Sequence, residues 1–184
     1  MATVLRRFVN KIREPAGLNP VNSIEPSPII LIHGLMGSSQ GTKARHLRGI
    51  FPGIVCPDFV GTLDERMAEL EGIIPAGERW KVIGSSLGGL MAAIYACSHP
   101  ERVERMVLLA PALIWPDFVR DLPDPVSVPA VIYHGLHDTI IPLDEMRTIA
   151  EKIFTNLILN AVEDDHSLQD TVAAIDWRDL LDNP

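Results

Sequence analysis

The most specific chemical spacing in this 184-residue chain is Gly84-Ser85-Ser86-Leu87-Gly88-Gly89, a G-x-S-x-G pattern centred on Ser86. An apolar, β-like run precedes it and a helical run follows. A very tight turn from strand to helix forces its central residue into a strained backbone conformation. Side chains two positions to either side would collide, which accounts for glycine at 84 and 88. Such a turn lifts the Ser86 hydroxyl clear of the backbone and aims the Leu87 amide at the same space. Ser85 lacks this setting, because Ile83 and Leu87 stand two residues away from it. The alternative reading of the pattern is a glycine-rich turn without chemistry.

A serine hydroxyl needs a base to act as a nucleophile at neutral pH. Of the six histidines, His166 lies just after an apolar run, in a polar loop before the last helical stretch, where it can reach over strand ends. His33 and His134 each precede a glycine at a strand end and read as structural hydrogen bonders. His46 and His99 fall in or at the end of helices and read as solvated. An acid that fixes the imidazole completes the set. Asp138, in the loop after the Ala130–Tyr133 run, is placed for it; the other reading is a surface aspartate. Asp164 and Asp165 sit too near His166 in sequence and read as capping or solvating groups. A tetrahedral oxyanion would need two amide donors. Leu87 offers one, and Leu35, after the Gly34 turn, offers the other, with Met36 second. An ordinary glycine turn is the alternative there.

These residues all follow apolar runs, which points to the elements that carry them. Residues 29–33, 53–57, 80–83, 103–109, 130–133 and 156–162 read as six strands. Helical patterns lie between them at 42–50, 63–74, 87–97 and 143–154, with a closing helix at 168–181. Alternation of this kind predicts a three-layer α/β fold, a mostly parallel sheet of about six strands with helices on both faces. Function in such sheets gathers at the carboxyl ends of the strands.

Composition sets limits on the partners. Hydrophobic residues at 47% and charged residues at 22% describe a globular chain with a core. The net charge of −8 argues against nucleic acid as a partner. Cys56 and Cys97 have neither disulfide-scaffold nor CxxC spacing and read as small buried hydrophobes, and no metal-ligand spacing is present. Arg6, Arg7, Lys11 and Arg13 make the first thirteen residues +4, leaving −12 on the rest. Residues 1–27 read as a basic arm and connector ahead of a domain at 28–184. The arm either packs beside that domain or, as an amphipathic helix, serves organelle targeting or weak membrane contact. The expected location is otherwise cytoplasmic.

From about Pro28 onward the chain resembles the α/β-hydrolases. The likeness is carried by HG-x-x-G at 33–37, G-x-S-x-G at 84–88, and late acid and histidine loops in the order Ser, Asp, His. More narrowly, Ser38-Ser39-Gln40-Gly41-Thr42-Lys43-Ala44 after the HG turn, with Gly84-Ser85-Ser86-Leu87-Gly88-Gly89, is similar to small bacterial esterases of the YqiA type. The resemblance implies a serine hydrolase with catalytic Ser86, Asp138 and His166, an oxyanion hole from Leu35 and Leu87, and no cofactor. Larger members insert a helical lid after the fourth strand. The sixteen residues at 112–127 are too few for one, so an open site and small or short-chain esters are expected. Trp115 and Phe118, with Met36 and Leu35, would then form an apolar rim for substrate, or else merely pin the connector to the body. Thioester cleavage, hydrolysis at a lipid surface, and ligand binding without catalysis are the rival readings.

Overall fold

The computed structural model describes residues 27–182. Five strands form one sheet: β1 (Ile29–Ile32), β2 (Trp80–Ser85), β3 (Val103–Leu109), β4 (Ala130–Gly135) and β5 (Leu157–Val162). They lie side by side in sequence order, and every pair is parallel. The helices between them are α1 (Thr42–Ile50), α2 (Leu63–Ile73), α3 (Leu87–Ser98), α4 (Pro116–Arg120), α5 (Leu143–Ile153), α6 (Gln169–Ala174) and α7 (Trp177–Asp182).

The period of two along each strand divides the core. Ile30, Ile32, Val82, Met106, Leu108 and Ile132 pack into one apolar cluster with Met67 and Leu70 of α2, Leu90 of α3 and Ile149 of α5. Leu31, Ile83, Val107 and Leu109 face the other way, onto Leu47 of α1, Val172 of α6 and Trp177 of α7. The sheet is thus covered on both faces, which explains why its strands read as unbroken apolar runs. The expected α/β architecture with flanking helices is what the chain adopts, and among the described residues no separate lid domain stands over it.

Among the described residues the count of about six strands is corrected to five. Residues 53–57 supply only a bridge, in which Val55 exchanges two backbone hydrogen bonds with the edge of β1, at 2.8 and 2.9 Å. Pro52 and Pro57 bracket this segment, and proline has no N–H to extend a ladder. The closing helix is likewise two short ones. The chain breaks at Ile175-Asp176, where the Asp176 carboxylate caps the Asp179 amide at 3.1 Å. That break seats Trp177, 1% exposed, in the second cluster, with its indole N–H on the Val172 carbonyl. His99 is not solvated: it pairs with Glu71 at 2.8 Å.

α2 begins as the sequence of its first turn dictates. Thr62 accepts the Glu65 amide, and the Glu65 carboxylate accepts the Thr62 amide in return, a reciprocal cap. The basic arm at residues 1–26 lies outside the described residues, as do residues 183 and 184. Among the described residues no helix is long and apolar enough to cross a membrane.

Candidate functional site

Ser86 sits between β2 and α3 with φ 54° and ψ −117°, a conformation costly for any residue with a side chain. Its own backbone bonds hold it there. Its amide donates to the Leu109 carbonyl at 2.9 Å, and its carbonyl accepts from Gly89 and Ala112 at 2.9 and 3.0 Å. Glycine at 88 is enforced by sterics: a Cβ there would stand 2.0 Å from the Ile32 carbonyl oxygen. At 84 it would stand 2.6 Å from the Gly88 carbonyl oxygen. α3 can therefore start hard against β1 and β2 only with both glycines in place.

Three separated segments meet at this turn. His166, in the loop after β5, places Nε2 3.1 Å from Ser86 Oγ. Its Nδ1 lies 2.8 Å from Asp138 Oδ2, in the loop after β4. A carboxylate only accepts, so Nδ1 carries the imidazole proton and Nε2 is left to accept from the Ser86 hydroxyl. The Asp138 side chain is fully buried. Its second oxygen accepts from the Ile140 and Ile141 amides at 2.8 and 2.9 Å, which satisfies the buried charge.

Leu35 and Leu87 also come to this end of the sheet. Leu87 is the first residue of α3, so its amide has no acceptor within the helix. The turn after β1 approaches so closely that a Cβ on Gly34 would lie 3.2 Å from the Ser86 Cβ. The Gly34 carbonyl accepts from His33 Nδ1 at 2.8 Å and from the Gly37 amide at 3.0 Å. In a planar trans peptide the following N–H points opposite to that carbonyl, so these two bonds fix the direction of the Leu35 amide. His33 Nε2 accepts the Phe59 amide at 3.1 Å, so it bears no proton and its 3.8 Å approach to Asp58 is not an ion pair. The structural role expected for His33 is the one it plays.

The anticipated rim is divided. Leu35, Met36 and Trp115 are 56%, 95% and 38% exposed, and the connector bearing Trp115 begins at the Ala112 bond to Ser86. Phe118 is instead buried, on the inner face of α4, and belongs to the larger apolar cluster. It pins the connector to the body and is removed from the exposed rim. Exposed Val60, Leu136 and Ile140 stand on loops at the same strand ends, where no periodicity marks an apolar residue in advance.

Polar side chains hold these loops, Asp164 and Asp165 among them as the capping groups expected. Asp58 accepts both the amide and the hydroxyl of Ser39, and Arg48 donates to the Ser39 carbonyl. The Ser39 bonds hold the Asp58 carboxyl below its usual range. Lys43, on α1, donates to the Ser167 carbonyl beside His166. Burial pushes its ammonium down, with Asp164 and Asp165 opposing. Burial pushes the Asp164 carboxyl up, and bonds from the Thr171 amide and hydroxyl outweigh this, leaving it lowered. Ser167 holds Asp165 down in the same way. All of these contacts join residues distant in sequence or turn on loop conformation, so periodicity carries no trace of them. Among the described residues no group of three or more His, Cys, Asp or Glu could hold a metal ion, and burial raises the Cys97 thiol to about 12.

Asp58 supplies a stability prediction with a definite sign. Its folded value is depressed below its ordinary 3.8, so its contribution is present above that pH and disappears as pH falls through the folded value. Wild type should therefore melt higher than Asp58→Asn at pH 7, and the gap should shrink below about pH 4. Thermal unfolding of both proteins across this range checks it; a gap independent of pH contradicts it.

The chain has the α/β-hydrolase fold. A family model described as alpha/beta hydrolase fold matches residues 60–126. Mouse alpha/beta hydrolase domain-containing protein 10 superposes with a TM-score of 0.69 at 19% identity, over 86% of this chain and 90% of that one. A Xanthomonas campestris pv. campestris protein assigned to the hydrolases of the alpha/beta superfamily gives 0.67 at 26% identity, over 81% and 93%. In sequence, the chain is 31% identical over 134 residues to a rice (Oryza sativa subsp. japonica) protein named as a 1-acylglycerol-3-phosphate O-acyltransferase. That match takes in 59% of this chain and spans only 31% of the rice protein's length.

Proposed function

We propose that this protein is a serine hydrolase that cleaves carboxylic esters of small or short-chain acids through an acyl-enzyme. The observation that carries the reading is the hydrogen-bonded chain from Ser86 Oγ through His166 to the buried Asp138, at 3.1 and 2.8 Å, on a strained turn. Ser86 Oγ attacks the ester carbonyl while His166 Nε2 takes its proton. The tetrahedral oxyanion is stabilised by the Leu87 and Leu35 amides. The imidazolium, held by Asp138, then protonates the departing alcohol as the C–O bond breaks. A water molecule attacks the acyl-enzyme with His166 again as base, and the acid leaves as Ser86 recovers its proton. No step draws on a cofactor.

The short connector and the apolar loops around Ser86 support an open site that takes a small acyl group and leaves the alcohol free to vary. The narrower likeness at residues 38–44 to small bacterial esterases of the YqiA type agrees with this. A panel of p-nitrophenyl esters from acetate to palmitate, each paired with its thioester analogue, tests it. Turnover highest on the short oxygen esters is the expected result. No turnover on any of them, together with no labelling by a fluorophosphonate, would reject it.

A second reading, transfer of the acyl group from Ser86 to an alcohol in place of water, is favoured by the name of the rice relative. Mass spectrometry of reactions containing glycerol separates the two, since transfer predicts an acylated glycerol as the main product.

A further inference from the structure

His134 is the penultimate residue of β4 and is completely buried, four residues before Asp138. Its Nε2 lies 2.8 Å from the Ile141 carbonyl oxygen and 3.4 Å from Asp138 Oδ2, the oxygen that His166 uses. Both neighbours only accept, so Nε2 must carry the imidazole proton. Nδ1 is buried, with no hydrogen-bond partner among the described residues. A proton there would be a donor sealed away from any acceptor, a costlier arrangement than an idle lone pair.

Ile141 is engaged through both of its backbone polar groups. Its amide donates to Asp138 Oδ1 at 2.9 Å and its carbonyl accepts from His134. The turn at 138–141 is therefore closed on the carboxylate at one end and on the imidazole at the other. The His134 ring also flanks the same carboxylate oxygen that His166 uses. No part of the proposed chemistry requires a second histidine here.

We propose that His134 is a positioning residue: one buried N–H holds the Ile141 carbonyl and flanks Asp138 Oδ2, fixing both the turn that carries the acid and the oxygen presented to His166. The catalytic consequence rests on the serine-hydrolase reading, while the geometric one does not. Methionine at 134 fills similar space without a donor, and glutamine returns a donor near the position of Nε2. His134→Met should therefore lower kcat about tenfold with KM within about twofold of wild type, as expected for losing one buried hydrogen bond that orders the acid. His134→Gln should recover most of that loss.

The discriminating measurement is the downfield proton resonance of His166 Nδ1–H in the full chain. It should broaden or vanish in His134→Met and return in His134→Gln. A role confined to filling space would leave it unmoved in both. Long-range ¹H–¹⁵N spectra of the wild type should in addition find the His134 proton on Nε2, a readout that needs no variant to fold. A proton on Nδ1, an unchanged resonance in His134→Met, or glutamine no better than methionine would each overturn the proposal. Absence of ester turnover in the wild type would remove the function reading alone, since the resonance still reports whether His134 places Asp138.

Discussion

Ser86→Ala is expected to lower the hydrolysis of a short p-nitrophenyl ester by about 10⁴-fold or more, and to abolish fluorophosphonate labelling. The adjacent hydroxyl cannot make good the loss of this oxygen, because Ser85 is buried at the end of β2. The fold should survive. The bonds that hold residue 86 run through its amide and carbonyl, to Leu109, Gly89 and Ala112, and the hydroxyl takes part in none of them. The thermal midpoint of Ser86→Ala should stay within a few degrees of wild type. Ser86→Gly sharpens the test, because glycine accepts a φ of 54° without strain. It should be no less stable than the alanine variant, despite the usual entropic cost of glycine. Retained turnover in either variant would place the chemistry elsewhere.

Gly88→Ala should cost about 3 kcal/mol or more of stability, a large share of what a single domain possesses. The added methyl would meet the Ile32 carbonyl oxygen at 2.0 Å, the Ile32 carbonyl carbon at 2.6 Å and the His33 carbonyl oxygen at 2.7 Å. All three are backbone atoms of β1 and its exit, so no side-chain rotation relieves the contact. α3 would have to retreat from the sheet, carrying Leu87 and the strained turn with it. Gly72→Ala is the matched control. It lies on α2, and a Cβ there meets nothing within 4 Å. The same methyl should be neutral or stabilising by up to about 1 kcal/mol, because alanine is the better helix former. Chemical denaturation of the two variants reads the difference directly. Equal stabilities would mean that the elbow is not held by this approach of helix to strand.

Much of the candidate site is legible in the sequence, for a physical reason that differs between its parts. Ser86 announces itself because the sterics of a tight turn act on residues two positions away, so glycines at 84 and 88 record the turn locally. Asp138 and His166 are marked less directly, as polar residues that follow apolar runs, since a parallel sheet puts every strand exit on one edge. Other assignments failed where local pattern and tertiary demand diverge. Phe118 has the composition of an exposed rim, yet the inner face of α4 turns it into the core. The segment at 53–57 has the composition of a strand, but its prolines leave it one bridge.

Local chemistry of the chain was thus enough to define the α/β class, the strained serine and the candidate base and acid. Each of these is encoded by side chains within a few positions of one another or by the repeating order of strand and helix. Only the tertiary structure decided how they are held: Asp58 on Ser39, Lys43 on the Ser167 carbonyl, and His134 behind Asp138. Such contacts depend on which loops the sheet brings side by side. A hydrogen bond needs atoms within about 3 Å, and no spacing along the chain reports that distance.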